Sequence, residues 1–267
     1  MGTSTIEVQN VHKRFPDGTL ALEGVSLQVQ AGEFVSLVGP SGCGKSTLLR
    51  ILAGLETATS GSVSLNGHLP SAPQSRQDMA FVFQEPTLMP WKTVLHNVAL
   101  PLELRGTPLA EREARARRCL ELVGLGARAG AFPRELSGGM KMRVSIARAL
   151  VTEPKVMLMD EPFGALDEMT RQRLNDEVLG IQQATGATVV FVTHNMFEAV
   201  YLSQRIVVMT PHPGRIAAVL DVPEAYPRDA RFRGSDLYGK RVFQVLQILE
   251  GHPAPPDAPA PLAGVPA

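Results

Sequence analysis

The chain has 267 residues, with 26 basic and 26 acidic side chains, so its formal net charge is zero. A balanced charge excludes a strong overall attraction to nucleic acid or to an anionic membrane surface. Apolar residues make up 44% of the chain, which is enough to bury the core of one large α/β domain or of one domain with an inserted subdomain.

Short strands are predicted in the first third of the chain. They cover residues 6–11, 27–29, 34–38, 61–65 and 79–83. The third strand runs directly into a glycine-rich segment, and a helix is predicted over residues 47–55 after it.

The sequence changes to helical character from residue 86 to about residue 150. Thr107 and Pro108 predict a helix start, because proline fits the first helical turn, and Gly124 predicts the end of that helix. The arginines of this helix alternate with glutamates. This alternation indicates a solvated helix face rather than a nucleic-acid-binding surface.

Strands and helices alternate after residue 150. Apolar runs at 156–159 and 188–192 predict central strands of a parallel sheet, and a helix over 167–185 completes a βαβ unit between them. The remaining predicted elements are strands over 205–209 and 214–219 and a helix over 235–250.

The sequence also indicates where the chain resides. Its two cysteines, Cys43 and Cys119, cannot build a disulfide framework in a chain of this size, which favours a reducing compartment. The N-terminal residues have no basic start followed by an apolar run, so no signal peptide is predicted. No stretch reaches the ~18 consecutive apolar residues of a membrane-spanning helix. We therefore expect any membrane role to depend on docking onto another protein.

Residues 39–47 match the phosphate-binding motif G-x-x-x-x-G-K-[ST], with a predicted strand before it and a helix after it. Glycines let the backbone approach the phosphates, and the successive N–H groups and the helix start attract an anion. Lys45 is expected to reach the β- and γ-phosphates, and Ser46 to ligate Mg²⁺. The nucleotide contacts predicted in this loop are Gly39, Ser41, Gly42, Cys43, Gly44, Lys45, Ser46 and Thr47.

Two carboxylates follow the predicted strand over residues 156–159. A buried parallel strand delivers its last residues to the carboxyl edge of the sheet, where ligands bind in open α/β folds. Asp160 is therefore expected to hold Mg²⁺, and Glu161 to orient or deprotonate the attacking water.

Residues 136–143 read Leu-Ser-Gly-Gly-Met-Lys-Met-Arg and resemble the LSGGQ signature of ATP-binding cassette proteins. Ser137 and the two glycines are predicted to start a helix, so that N–H groups face an anion there as well. Other positions match this family in the same order. Gln84 matches its Q-loop glutamine, Asp167 ends a segment that resembles its D-loop, and His194 matches its switch histidine.

Phe15 lies where the family has an aromatic residue that stacks on adenine, and the resemblance covers about residues 6–220. It implies an α/β fold, namely a P-loop NTPase (RecA-like) core with an N-terminal antiparallel β subdomain and an inserted α-helical subdomain. The implied parts are the core at residues 1–85 and 151–225, the helical signature subdomain at 86–150, a C-terminal helix at 226–250 and a disordered tail at 251–267.

The resemblance also implies a mechanism that uses ATP and Mg²⁺. ATP on the phosphate loop of one copy would be covered by Ser137 and Gly139 of a second copy, and Asp167 would contact the opposite copy. The implied magnesium ligands are Ser46, Gln84 and Asp160. The implied catalytic residues are Lys45, Gln84, Glu161 and His194.

The chain departs from the family pattern in three places, and none of them removes a catalytic group. Met140 stands where many members have glutamine, Lys141-Met142 replaces the commoner pair of a basic residue and glutamine, and Asn195 follows His194 where aspartate is usual. Met140, the Met-Pro-Trp segment at residues 89–91 and residues 211–216 together resemble the importer branch for nitrate, sulfonates and taurine.

That branch implies three kinds of partner: integral membrane permease subunits, a second copy of the chain, and, indirectly, an extracytoplasmic solute-binding protein. Nucleic acid is not an expected partner, and the implied location is peripheral, on the cytoplasmic face of the inner membrane. Met89 and Trp91 would meet the permease, although packing in the core is the alternative for both. A soluble ATP-binding cassette ATPase and a P-loop small-molecule kinase are the competing classes. The transported molecule cannot be deduced, because the motor subunit does not touch it.

Overall fold

The computed structural model describes residues 4–251. In these residues the strands are β1 (Ser4–Arg14), β2 (Leu20–Gln30), β3 (Phe34–Val38), β4 (Ser60–Leu65), β5 (Met79–Val82), β6 (Val156–Asp160), β7 (Thr188–Thr193), β8 (Arg205–Thr210) and β9 (Arg215–Asp221). The helices are α1 (Lys45–Leu52), α2 (Pro73–Asp78), α3 (Val94–Leu104), α4 (Leu109–Leu122), α5 (Gly138–Leu150), α6 (Glu168–Thr185), α7 (Met196–Leu202), α8 (Ala230–Arg233) and α9 (Asp236–Leu249).

The chain divides into two compact units. Among the described residues, the terminal unit consists of residues 4–76 and 188–251, and the middle unit of residues 77–187. None of the helices in the described part of the chain is long and apolar enough to cross a membrane. Of the predicted disordered tail, residues 252–267 lie outside the described residues.

In the terminal unit, β7, β3 and β8 run parallel, and β9 pairs antiparallel with β8. Every residue of β3 and β7 is buried, as expected for central strands that are covered on both faces. A second sheet is antiparallel, in the order β2-β1-β4. β3 leads directly into the phosphate-binding motif, so the buried sheet fixes where that loop begins.

Strand β2 is longer than the sequence predicts, since only residues 27–29 were expected to be extended. Gly24 has a φ of 62°, and the pairing with β1 shifts register near this point. The shift interrupts the alternation of buried and exposed side chains, which is the signal for a strand in the sequence. Val25, Leu27 and Val29 alternate regularly in the second half of β2 and are buried.

In the middle unit, β5 and β6 form a parallel pair, and all five residues of β6 are buried. The predicted helices over 108–124 and 167–185 are present as α4 and α6. The helix α3 was predicted only as part of a helical region. It begins after Thr93, whose hydroxyl accepts a hydrogen bond from the His96 N–H at 3.3 Å.

The predicted C-terminal helix is present as α9. Ser235 caps it, because its hydroxyl accepts from the Tyr238 N–H at 3.2 Å. Gly239 lies within the helix and does not interrupt it. Further along, the buried side chains of Val242, Val245 and Ile248 pack one face of the helix against the protein.

Arg228 is a buried arginine that joins the C-terminal segment to helix α7. Its guanidinium donates to the carbonyl oxygens of Val200, Tyr201 and Ser203, at 2.9, 3.0 and 2.7 Å. Further donations reach the carbonyl oxygens of Val222 and Glu224. Helix ends leave carbonyl groups without partners, and a cation at the C-terminus of a helix is favourable. Arg228 therefore fixes the end of α7, a helix that begins directly after His194 and Asn195.

Replacing Arg228 by methionine is expected to lower the free energy of unfolding by about 3 kcal/mol, because buried carbonyl oxygens lose their donors. Urea unfolding of the purified variant measures this change. Arg231→Met is the control, since Arg231 is exposed and three positions away. Equal stability of the two variants would show that the Arg228 hydrogen bonds contribute little.

Candidate active site

The phosphate loop connects β3 to α1 in the terminal unit. Gly44 immediately precedes the helix with a φ of 91°, a left-handed conformation that suits glycine. Lys45 is 4% exposed, and its ammonium group donates to the carbonyl oxygens of Gly39 and Pro40 at 2.8 and 3.0 Å. The lysine is therefore folded over the loop, and its charge lies among the loop's own carbonyl groups.

Three glycines at or beside this loop pack so closely on their neighbours that none of them has room for a Cβ atom. A Cβ on Gly39 would lie 2.6 Å from both the Cys43 sulfur and the Met209 carbonyl oxygen. A Cβ on Gly44 would lie 2.6 Å from Leu22, and one on Gly214 would overlap the Cys43 carbonyl oxygen. The start of β2 and the turn between β8 and β9 thus pack directly on the loop and fix its path.

His194 follows the last residue of β7. The preceding Thr193 donates through its hydroxyl to Glu198 at 2.5 Å and accepts from the Asn195 N–H at 3.0 Å. The side chain of Asn195 accepts from the N–H groups of Phe197 and Glu198 and caps α7. Asparagine therefore serves as well as aspartate at the start of this helix, and His194 is held exposed between a buried strand and a capped helix.

Phe15 follows β1 and is half-buried. The ammonium group of Lys13 lies over its ring, 5.0 Å from the centroid, and also pairs with Glu56 at 2.7 Å. Hydrogen bonding to Lys13 holds the pKa of the Glu56 carboxyl below its usual value. The Lys13 ammonium group therefore makes a favourable cation–π contact with one face of the Phe15 ring.

In the middle unit, Asp160 is the last residue of β6 and is 9% exposed. Glu161 comes next with a φ of 44°, which is unusual for a residue other than glycine. Non-glycine residues held in such conformations cluster at active sites. The predicted acidic pair thus lies at the carboxyl end of a buried strand, and the backbone turns sharply at Glu161.

Gln84 lies two residues beyond β5 and is exposed. The segment after it is fixed by Arg148, a residue of α5 that the sequence did not single out. The Arg148 guanidinium donates to the carbonyl oxygens of Pro86 and Thr87, both at 2.8 Å. Burial lowers the pKa of Arg148. This arginine joins the segment after Gln84 to the helix that begins at the signature residues.

The signature residues start helix α5. The hydroxyl of Ser137 accepts from the Met140 N–H at 3.3 Å, and both Ser137 and Gly138 are exposed. Gly139 is buried, and a Cβ on it would lie 2.7 Å from the Thr170 methyl group. The predicted signature therefore forms an exposed, serine-capped helix start, and its second glycine allows close packing on α6.

Asp167 caps helix α6 and is exposed. Its carboxylate accepts from the Thr170 N–H at 3.0 Å, and hydrogen bonding to Thr170 lowers its pKa. The residue is therefore ionised at neutral pH and stabilises the start of the helix.

Trp91 is 72% exposed, which excludes the core-packing interpretation for this side chain. The buried Asn97 holds the loop that presents it: the Asn97 amide donates to the carbonyl oxygens of Met89, Lys92 and Thr93 and accepts from the Met89 N–H at 2.7 Å. Nothing in the sequence pattern marked Asn97 as the residue that shapes this loop.

The predicted site residues fall into two sets. The phosphate loop, Phe15 and His194 belong to the terminal unit, whereas Gln84, Asp160, Glu161, the signature and Asp167 belong to the middle unit. Among the described residues no group of three or more histidine, cysteine and acidic side chains could hold a metal ion. The predicted magnesium ligands are all oxygen donors, namely a hydroxyl, an amide and a carboxylate. That chemistry suits Mg²⁺, which usually keeps water and phosphate ligands and takes few from the protein.

Gly214→Ala is expected to destabilise the chain by about 1–3 kcal/mol, as overpacking does, and to weaken ATP binding because the loop must shift. Thermal unfolding and a fluorescent-nucleotide titration measure the two effects. Gly180→Ala is the matched control, since nothing lies within 4 Å of the added Cβ and the residue is within helix α6. Equal stability and equal ATP affinity of Gly214→Ala and Gly180→Ala would show that close packing at Gly214 does not shape the loop.

Comparisons with known proteins identify the family. The family described as ABC transporter matches residues 22–164. The chain is 46% identical over 229 residues to the aliphatic sulfonates import ATP-binding protein of Bacillus subtilis, which covers 86% of this chain and 88% of that protein. It is 48% identical over 230 residues to the bicarbonate transport ATP-binding protein of Synechococcus elongatus, which covers 84% of this chain and 34% of that protein.

A solved structure resembles this one in fold as well. It is a dimeric ATP-binding cassette in a post-hydrolysis state with ADP and inorganic phosphate. The TM-score is 0.73 at 34% identity, and the match covers 83% of this chain and 100% of that chain. These matches confirm the predicted P-loop NTPase fold. The chain belongs to the ABC transporter family, and it is an ATP-hydrolysing ATP-binding cassette.

Proposed function

We propose that this chain is the subunit that hydrolyses ATP to energise an importer for a small solute of the nitrate, sulfonate or taurine type. The main observation behind the proposal is that the chain has two helix N-termini of the kind that attracts anions. One is the complete phosphate loop before α1, and the other is the exposed, serine-capped start of α5 at Ser137. In this proposal the second helix start covers the nucleotide that is bound to another copy of the chain.

The phosphate loop binds the nucleotide in this proposal. Backbone N–H groups of residues 42–47 and the start of α1 face the phosphates, because successive N–H groups and a helix N-terminus attract anions. Lys45 exchanges its present carbonyl partners for the β- and γ-phosphates. Phe15 stacks on the adenine ring.

Ser46, Gln84 and Asp160 would hold Mg²⁺, which would neutralise charge on the phosphates. Glu161 orients the attacking water and accepts its proton, and His194 steadies the γ-phosphate. The left-handed backbone conformation of Glu161 supports this role, because residues other than glycine that adopt it cluster at active sites.

A second copy completes the site by covering the γ-phosphate with its Ser137 and Gly139. The exposure of Ser137 and Gly138 supports this, since a helix start that is capped and solvent-facing is ready to receive an anion. Asp167 contacts the opposite copy. The similarity to a cassette solved as a dimer with ADP and phosphate supports the same arrangement.

The Trp91 loop docks onto an integral membrane permease. Trp91 is exposed, and four hydrogen bonds with Asn97 hold its loop. Such a side chain is a suitable anchor, because a tryptophan that becomes buried on association contributes much of the binding energy at many interfaces. The chain would then lie peripherally on the cytoplasmic face of the membrane, with an extracytoplasmic solute-binding protein as an indirect partner.

The import and transport functions of the sulfonate and bicarbonate relatives support this assignment. The relatives act on different solutes, so the solute itself is set by the partners. A soluble cassette ATPase without a permease is the competing function, and no feature of the described residues favours it.

Glu161→Gln is expected to bind ATP, to form a stable dimer with ATP, and to lose at least about 100-fold in turnover, because the water loses its base. Light scattering with ATP and with ADP, together with phosphate release, measures these properties. Lys45→Ala is the reference that should bind nucleotide poorly and stay monomeric. Normal turnover by Glu161→Gln would falsify the catalytic assignment.

Trp91→Ala is expected to weaken permease association at least about tenfold, as loss of an aromatic anchor does, and to leave ATP affinity unchanged. Retention of the permease on the tagged subunit in detergent measures the association. Leu104→Ala is the control, because Leu104 is 80% exposed at the end of α3. Equal retention of the permease by both variants would contradict the docking role.

A further inference from the structure

The turn between β8 and β9 brings a histidine beside the phosphate loop. The ring carbon Cε1 of His212 lies 3.8 Å from the position that a Cβ on Gly42 would occupy. Both residues are exposed. The imidazole therefore lies alongside the solvent-facing part of the loop, whereas Lys45 occupies its interior.

The turn packs against the loop at Gly214, two residues beyond His212. Gly214 packs on the Cys43 carbonyl group, and its N–H donates to the Ala21 carbonyl oxygen at 3.1 Å. The Glu23 N–H donates in turn to the Gly214 carbonyl oxygen at 3.0 Å. The start of β2, the phosphate loop and the histidine turn thus form one packed set within the terminal unit.

The backbone of His212 is in the left-handed region, with a φ of 43°. Residues other than glycine rarely adopt this conformation, and those that do cluster at ligand-binding positions. Throughout residues 4–251, no hydrogen bond or ion pair to the His212 imidazole is found. Neither the fold nor the proposed catalytic set gives the side chain a role.

We propose that His212 is an additional nucleotide-binding residue, whose ring N–H donates a hydrogen bond to a phosphate oxygen of the nucleotide in the loop. The inference rests on the proposed function, in which residues 42–47 hold the phosphates. An imidazole N–H that donates to a charged oxygen makes a stronger bond than one to a neutral acceptor. Lys45 would bind the phosphates from inside the loop, and His212 from the rim at Gly42.

The dissociation constant for ATP, measured by competition with a fluorescent ATP analogue, tests the proposal. His212→Ala is expected to weaken binding at least about tenfold, which is the loss of one hydrogen bond to a charged group. His212→Gln retains a donor and is expected to stay within about twofold of the unaltered protein. The glutamate side chain of His212→Glu has nearly the same shape as glutamine, but its negative charge repels phosphate. A loss of affinity of at least about tenfold is therefore expected.

His68 provides the matched control. It is also exposed and lies in the turn after β4, so His68→Ala and His68→Glu should leave ATP affinity unchanged. Thermal unfolding of each variant checks that the fold is retained. Unchanged affinity in His212→Ala and His212→Glu overturns the proposal. An equal loss in the alanine, glutamine and glutamate variants overturns it too, because the turn conformation rather than the N–H would then matter.

If the proposed ATPase function itself were wrong, the binding experiment would give a different result. If the unaltered protein and Lys45→Ala bind ATP equally weakly, the phosphate loop is not the nucleotide site. Tight binding by the unaltered protein, a loss in Lys45→Ala and no effect of any His212 substitution would leave the ATPase assignment intact and remove only the role of His212.

Discussion

The backbone path of the phosphate loop is the constraint on which the rest of the site depends. Gly39, Gly44 and Gly214 sit where a single added carbon would collide with a carbonyl oxygen or a packed side chain. The loop is therefore shaped by its neighbours before any nucleotide arrives. Preorganised N–H groups bind an anion without a further ordering cost, which is why a rigid loop after a buried strand serves this chemistry.

The same design recurs at the other functional segments. Each lies at the end of a strand or near the start of a capped helix. A specific side chain fixes each segment: Thr193 before His194, Arg148 after Gln84, Asn97 at the Trp91 loop and Asp167 at α6. Arg148 and Asn97 have a further consequence within the middle unit. They connect the segment after Gln84, the Trp91 loop and the signature helix, which are the parts that coupling between ATP and a permease would require to move together.

Local motifs made the local structure of several candidate site segments predictable from the sequence. The phosphate loop, the acidic end of β6 and the serine-capped signature each combine residue types with a required order of strand, loop and helix. The central strands β3, β6 and β7 were equally clear, because strands buried on both faces are continuous apolar runs. The first half of β2 escaped prediction because a register shift at Gly24 breaks the alternation.

Features that depend on distant contacts were not predictable in the same way. Arg228 and Arg148 look like ordinary surface arginines in the sequence, and only the fold shows that they bind helix-end and loop carbonyl groups. His212 lies two residues after the end of β8, in a strand–turn–strand pattern that gives no sign of the loop it touches. The exposure of Trp91, which excludes core packing of this side chain, likewise depends on the loop that Asn97 holds.

Reconstitution of transport is the decisive experiment for the proposed function. The complex that co-purifies with the tagged chain would be placed in lipid vesicles, and uptake of candidate solutes, including sulfonates and nitrate, would be followed with ATP on the side of this subunit. The account predicts ATP-dependent accumulation that Glu161→Gln abolishes. ATP hydrolysis by a chain that associates with no multi-span membrane protein, with no solute moved, would contradict it.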